Sequence, residues 1–389
     1  MPNYIDLFAG CGGLSLGLKN AGWTGLFAIE KNKDAFKTFE YNLLDNSSHF
    51  EWPEWLPKTN HDIYEVLENY RDELIQLNGK IDLVVGGPPC QGFSLAGKRN
   101  EDDKRNELVD AYIEFVKIVK PKMVFFENVH GFTIPFDEDK IPFSVIVKRK
   151  LSDLGYKLVD QVVDVSELGV PQKRKRFILV GSLNSNVNDF FDKLCKNSEA
   201  FLGNKGLKRT VTIDEAISDL LKENGVYKSR DFRNFEFGMY GKHTSDYERY
   251  MSKNGGKYPD SHRFANHKKE TIELFEYLES LSTTVMRMSP KKDPSGRLRK
   301  RSVTILKPGV ICGTITSIPD DYIHYSEPRI MTVREMARIQ SFPDDYKFFG
   351  KYTTGGYERR KDVPRYTQIA NAVPPLFAEQ VGITLRTAL

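Results

Sequence analysis

One cysteine stands where it could do covalent chemistry. Cys90 lies in the run Gly86-Gly87-Pro88-Pro89-Cys90-Gln91-Gly92-Phe93-Ser94, directly after the apolar segment Ile81-Asp82-Leu83-Val84-Val85. An apolar run that halts at Gly-Gly-Pro-Pro reads as a buried strand that stops abruptly. Two prolines fix the backbone just before the thiol, and a glycine follows two residues after it. A sulfur is thereby held at the carboxyl end of a strand, where α/β enzymes keep their chemistry. The reaction such a thiol offers is nucleophilic attack, in which a covalent intermediate replaces one hard step by easier ones. A free thiol has a pKa of about 8.5 and needs nearby positive charge or a helix N-terminus to ionise at neutral pH. The bland alternative is an inert buried cysteine.

A second constellation points to a ligand. Asp6-Leu7-Phe8-Ala9-Gly10-Cys11-Gly12-Gly13 follows the first apolar segment and opens a helical pattern. Glycines at such a turn let a ligand approach the backbone closely. Glu30 ends the next apolar segment, where a carboxylate can accept both hydroxyls of a ribose. The spacing is Gly-x-Gly-Gly rather than Gly-x-Gly-x-x-Gly, and no Lys-Ser/Thr pair follows, which disfavours a phosphate-gripping loop. An adenosine ligand without phosphates fits better, and S-adenosylmethionine is the common one. A tight structural turn is the competing reading.

These residues need rigid elements to hold them. Up to about residue 185 the chain alternates strand signals (Tyr4–Phe8, Gly25–Glu30, Ile81–Gly86, Lys122–Glu127, Phe177–Gly181) with helical ones (Leu14–Asn20, Asp34–Leu44, Ile63–Leu77, Asn106–Lys120, Ser144–Leu154). That alternation predicts an α/β fold with a doubly wound, mostly parallel sheet. Residues 185–328 lose the rhythm, and Met331–Gln340 turns helical again with Thr332 and Glu335 at capping-box spacing. The expected organisation is a catalytic and cofactor-binding domain over 1–184, a smaller irregular domain over 185–345, and a basic loop plus a returning helix over 346–389. The 389 residues leave room for two domains. A hydrophobic content of 40% and a charged content of 28% describe a soluble globular chain. Four scattered cysteines without CxxC spacing argue against a zinc site or disulfide framework and for a reducing compartment. No apolar run approaches the roughly 18 residues of a membrane span, and no signal peptide is expected.

Net charge is only +4, but its distribution is uneven. From Arg287 to Lys307 stand eight basic residues (Arg287, Lys291, Lys292, Arg297, Arg299, Lys300, Arg301, Lys307) against the single acid Asp293. Such a cluster is either a solvated loop or a nucleic-acid contact.

Taken together, these motifs resemble the DNA (cytosine-5) methyltransferase family. The resemblance runs from Asp6 to about Gly382 in the family's order, apart from the middle region. Asp6 to Gly13 is similar to the family's first motif and Gly86 to Ser94 to its nucleophile motif. Asp103-Lys104-Arg105-Asn106-Glu107-Leu108 is similar to its Asp-x-Arg-Asn-x-Leu. Glu127-Asn128-Val129 matches its Glu-Asn-Val, and Gln172-Lys173-Arg174-Lys175-Arg176 its Gln-x-Arg-x-Arg. Arg329 to Asp344 looks like the motif that packs the recognition domain, and Gln368 to Pro375 like the last motif, with Ala370 in place of the usual glycine.

The resemblance implies transfer of a methyl group from S-adenosylmethionine to carbon 5 of a flipped-out cytosine, through a Cys90 adduct at carbon 6. It implies that Glu127 contacts N3 and the exocyclic amine of the base, with Arg174 and Arg176 beside it. Phe8, Gly10, Gly12, Glu30, Asp62, Ile63, Pro89 and Asn371 would hold the cofactor. Gln91, Ser94, Lys98, Arg99, Arg105 and Gln172 would meet DNA, as would Arg297, Arg299 and Arg301 of a target-recognition domain. Residues 91–108 would close as a lid on the flipped base. The expected setting is the cytoplasm of a prokaryote, with double-stranded DNA as partner, no membrane, no metal, a monomeric enzyme, and a companion restriction endonuclease. Two alternatives are a tRNA cytosine-5 methyltransferase of the same family and a catalytically silent DNA-binding relative. A nicotinamide-dependent oxidoreductase is disfavoured by the glycine spacing.

Overall fold

The computed structural model describes residues 1–89, 107–135, 140–228, 234–300, 302–353 and 362–389. The chain forms two compact units. The first comprises Met1–Leu168, Arg174–Phe201 and Val373–Leu389; the second comprises Gly169–Lys173 and Leu202–Ala372. The first boundary thus falls at Phe201 instead of residue 184. Phe191 and Leu194 of the helix Phe190–Asn204 line a groove with Val162 and Val163 of the first unit. The last boundary falls at Ala372 instead of 345.

The first unit is built on a six-stranded sheet. Its strands are β1 (Asn3–Leu7), β2 (Thr24–Ile29), β3 (Leu83–Gly86), β4 (Met123–Val129), β5 (Lys157–Asp164) and β6 (Lys175–Ser182), in the order β2-β1-β3-β4-β6-β5. β1 pairs in parallel with β2 and β3, and β3 with β4. β6 runs antiparallel to both β4 and β5. β5 escapes the sequence reading because it lies at the sheet edge. Only Val163 along it is buried, while the exposed Lys157, Asp160 and Gln161 suit an unpaired edge.

The connecting helices are α1 (Gly13–Asn20), α2 (Lys33–Glu40), α3 (Ile63–Asn69), α4 (Arg71–Gln76), α5 (Glu107–Val119) and α6 (Phe143–Asp153). Two expected helices change form. The segment expected as Asp34–Leu44 is helical to Glu40 and then takes a π turn over Tyr41–Asp45. The segment expected as Ile63–Leu77 breaks at Tyr70, whose φ of −124° leaves the helical region. Ile5, Leu7, Phe27, Val84, Phe115, Phe126 and Phe177 form part of one fully buried cluster around the sheet. The C-terminal helix Pro375–Arg386 packs against α1, and Trp23 Nε1 donates to the carbonyl of Gly382 at 2.9 Å. No helix among the described residues is long and apolar enough to cross a membrane.

The strand order places a topological switch between β1 and β3. The chain leaves β1 for β2 on one side and returns to β3 on the other. The carboxyl ends of β1 and β3 therefore diverge into a crevice, the general ligand position of such sheets. The glycine loop leaves one lip and Gly87-Pro88-Pro89 the other.

The second unit holds a hairpin, Val226–Lys228 with Glu236–Gly238, and a small sheet of Met286–Met288, Val303–Ile305 and Tyr322–Ile323. Its helix Val333–Ile339 starts on the expected capping box: Thr332 Oγ1 accepts from Glu335 N, and Glu335 reaches back to Thr332 N at 2.7 Å. Arg338 on that helix is fully buried. Its five N–H donors are all used: Nε and Nη2 on Asp344 at 2.6 and 2.7 Å, Nη1 and Nη2 on Asp219 at 3.1 and 3.0 Å, and Nη1 on the carbonyl of Ala216 at 3.1 Å. Removing the cation would strand two buried carboxylates, a loss of about 3–5 kcal/mol. Arg338→Leu is therefore expected to lower the free energy of unfolding by that amount and shift the urea midpoint down accordingly; urea unfolding with a loss under about 1 kcal/mol would contradict this account.

Candidate active site

The glycine loop takes its shape from alternating left-handed residues. Phe8 has φ 61°, Gly10 57° and Gly12 89°. A non-glycine residue rarely accepts that region, so Phe8 is held there by its neighbours. Ala9 N donates to Ile29 O at 3.0 Å, and Gly12 N to Ala9 O at 2.9 Å. A Cβ on Gly10 would meet no protein atom within 4 Å. The glycine is required by backbone conformation, and the space above it is open.

Glu30 closes this loop. Its Oε2 accepts from Gly10 N at 2.9 Å and its Oε1 from Asn32 N at 2.7 Å. Each oxygen has capacity for a further donor. Burial raises the Glu30 carboxyl above its usual range, and the two amide donors oppose that. His61 N donates to Glu30 O at 2.9 Å, which brings the next segment to the end of β2. Asp62 then caps α3 through Tyr64 N at 3.0 Å and pairs with Lys31 at 2.6 Å. Ile63 is buried in the same cluster against which Phe8 packs.

These groups fit S-adenosylmethionine: a carboxylate ready for a ribose diol, exposed backbone over Gly10, and a helix N-terminus with no acid in its first turn. Asp6 is a residue whose role the sequence reading left unassigned. It is almost fully buried, and Ser15 Oγ donates to it at 2.6 Å. Burial pushes its carboxyl up to about 7; the Ser15 bond pulls it down and the charge of Glu30 pushes it up.

Cys90, Gln91, Ser94, Lys98, Arg99, Arg105 and Arg301 lie outside the described residues, as does the expected lid up to residue 106. Their approach is well defined. A Cβ on Gly87 would lie 2.9 Å from Glu127 Oε2, and one on Gly86 2.9 Å from the Tyr112 ring. The glycine pair is thus a steric requirement, since Glu127 and Tyr112 close over it. Asn128 Nδ2 donates to the carbonyl of Pro88 at 3.2 Å, tying the end of β4 to the segment before Cys90. Pro89 is exposed.

Glu127 sits within β4, two residues before its end, and its Oε1 pairs with Arg176 Nε at 2.9 Å. Arg174 is buried, while Lys173 and Lys175 point to solvent, so the alternation expected of an extended segment holds. Burial lowers the pKa of Arg174, as does the charge of Arg176, with Glu127 opposing. Burial lowers Arg176 too, and Glu127 again opposes. Two guanidiniums beside one carboxylate give this end of the sheet a positive field.

The remaining expected residues belong to the second unit. Gln172, expected at DNA, is fully buried: its amide donates to Gln340 Oε1 and accepts from Ile315 N at 3.1 Å. It is a structural bridge, because both ends of the amide are used inside the unit. Asn371 is the exposed last residue of the helix Arg365–Asn371, with Ala370 buried beside it. Arg297 and Arg299 are exposed.

Known proteins resemble this chain over its whole length. Residues 3–386 match the model of the C-5 cytosine-specific DNA methylase family. The type II methyltransferase M.DdeI of Desulfomicrobium norvegicum is 32% identical over 395 residues, covering 98% of this chain and 87% of that protein. M.PspPI of a Psychrobacter species, also a type II methyltransferase, is 33% identical over 381 residues, covering 97% and 77%. The fold is shared with a prophage-encoded E. coli protein assigned to DNA modification methyltransferases, at a TM-score of 0.67, 23% identity and coverage of 100% and 99%. The chain belongs to the C-5 cytosine-specific DNA methylase family.

Proposed function

We propose that Cys90, Glu127, Arg174 and Arg176 carry the cytosine-5 methyl transfer of this family, and that the substrate is a specific sequence in double-stranded DNA. The observation that supports this most is the charged end of β4 and β6, where Arg176 grips Glu127 and Asn128 grips the carbonyl of Pro88. A positive field of this kind favours a thiolate over a thiol.

Carbon 5 of cytosine is a poor nucleophile. Addition of the Cys90 thiolate to carbon 6 breaks the aromaticity and makes carbon 5 enamine-like. Carbon 5 takes up the methyl group, loses its proton, and elimination of the thiolate restores the ring. Glu127 contacts N3 and the exocyclic amine as charge builds on the base, a role that needs its carboxyl fixed, and Arg176 fixes it. A base inside a duplex hides carbon 6, so the target is flipped out. S-adenosylmethionine, when bound, supplies an electrophilic methyl sulfonium. Glu30 would hold its ribose, Gly10 and Gly12 would admit the methionine part, and Phe8, Asp62, Ile63 and Pro89 would surround the adenine. Asn371 is a further cofactor contact in this reading.

Arg297 and Arg299 contact the duplex, together with Arg301 and the segment 91–105. The enzyme acts as a monomer in the cytoplasm, alongside a companion restriction endonuclease. Bisulfite sequencing of DNA from a host expressing the protein tests the reading as a whole, and unmodified host DNA would overturn it.

Two substitutions test its parts. Cys90→Ala should abolish methyl transfer while S-adenosylmethionine still binds; calorimetry alongside a methylation assay separates the two, and residual turnover above background would refute the nucleophile. Glu30→Ala removes the acceptor shared by Gly10 N and Asn32 N. It should raise the dissociation constant for S-adenosylmethionine roughly tenfold or more, the cost of one or two charge-assisted hydrogen bonds. An unchanged constant would exclude the ribose role.

A further inference from the structure

We infer that Arg297 is a base-reading residue that recognises a guanine in the target sequence, and that Tyr277, Asp293 and Leu298 hold it in place. The inference rests on the proposed action on double-stranded DNA. It begins with the eight basic residues between Arg287 and Lys307, which the second unit sorts into different duties.

Three of them are engaged within the fold. Arg287 donates through Nε and Nη2 to Ser302 Oγ at 3.3 and 3.1 Å, Lys300 pairs with Asp320, and Lys307 donates to the carbonyl of Glu279 at 2.9 Å. Lys291, Lys292 and Arg299 are exposed, and no carboxylate among the described residues pairs with them. Arg297 differs from both groups. It is exposed, yet its guanidinium lies 5.1 Å from the centre of the Tyr277 ring, on the helix Lys269–Ser280. A guanidinium over an aromatic face is held by the ring quadrupole while the fork of donors in its own plane stays available.

The backbone under Arg297 is pinned on both sides. Leu298 is buried with Met288, Val303, Ile305 and Leu278. Asp293, the only acid in the segment, spends its carboxylate on the turn. Oδ1 accepts from Ser295 N at 2.9 Å and Ser295 Oγ at 2.7 Å, and Oδ2 accepts from Leu298 N at 2.8 Å. Arg297 N itself reaches Ser295 Oγ at 3.3 Å. The one acid within the segment is turned inward, and the exposed Lys291, Lys292, Arg297 and Arg299 leave its outer face cationic. A side chain that only gathers phosphates can be flexible. One that discriminates bases gains from a fixed origin and a fixed plane, because bidentate recognition of guanine O6 and N7 is geometric.

The experiment uses the full-length protein and the methylated sequence found by bisulfite sequencing. Methylation rates are measured on the cognate duplex and on duplexes each carrying one changed base pair. Arg297→Ala should lose discrimination at one G·C pair by about 5- to 150-fold, with discrimination at the other positions kept. Lys291→Ala with Lys292→Ala should instead weaken all duplexes alike and reduce the salt slope of binding by up to about 2. Tyr277→Leu should copy the Arg297→Ala pattern, and Tyr277→Phe, which keeps the ring, should restore discrimination. A uniform loss in Arg297→Ala would overturn base reading, and full discrimination in Tyr277→Leu would overturn the positioning. A wild-type protein that leaves every duplex unmethylated would instead overturn the underlying activity. Thermal unfolding of each variant separates these patterns from loss of fold.

Discussion

The antiparallel pairing of β4 with β6 is the constraint on which the proposed chemistry depends. In its register Glu127 stands opposite Ile178 and Val129 opposite Arg176. Arg176 is therefore the diagonal neighbour of Glu127, two residues from its direct partner and on the same face. The ion pair follows from this register. A slip by one residue would turn one of the two side chains to the opposite face. The pair is protected against such a slip because Phe125, Phe126, Phe177, Ile178 and Leu179 along the same ladder are fully buried. Hydrophobic burial on the sheet thus sets the geometry of charged groups at its end.

The parallel half of the sheet places the other partner. β3 can end where it does because Gly86 and Gly87 leave room for Tyr112 and Glu127. Asn128 then holds the Pro88 carbonyl. Adjacent residues of one strand so perform separate tasks: Glu127 faces the crevice and Asn128 orders the backbone leading to Cys90. Across the switch point, Glu30 joins the carboxyl end of β2 to the glycine loop after β1. Both lips of the crevice are fixed by hydrogen bonds from strand-end side chains to loop backbone. This preorganisation suits a reaction whose partners must meet at one carbon.

Much of this was legible in the sequence. The apolar runs ending in Gly-Gly-Pro-Pro and in the glycine loop announced β3 and β1, because fully buried parallel strands have no polar alternation to obscure them. The capping box at Thr332 and Glu335 was visible for the same local reason. What escaped notice depends on partners distant in the chain. β5 reads as polar because its outer edge meets solvent, and only pairing with β6 makes it a strand. Gln172 looked like a surface contact beside two arginines, yet Gln340, 168 residues away, takes its amide. Asp6 carried no visible role until Ser15 and Glu30 surrounded it.

Buried arginines show how environment separates structural from chemical use of one side chain. Burial alone disfavours the charge on both Arg338 and Arg174. At Arg338 the charges and hydrogen bonds of Asp344 and Asp219 outweigh that cost, and the pKa is raised. Such a cation is satisfied by the fold and has little to offer a ligand. At Arg174 the attraction of Glu127 does not overcome burial and the neighbouring Arg176, and the pKa is lowered. A lowered pKa on a buried cation beside a carboxylate is the kind of perturbation that points to a candidate working site, although structural ion-pair networks produce it too. Arg174 stands one residue before β6 and two before Arg176, the partner of Glu127, where the proposed reaction would place a thiolate and an electron-rich base.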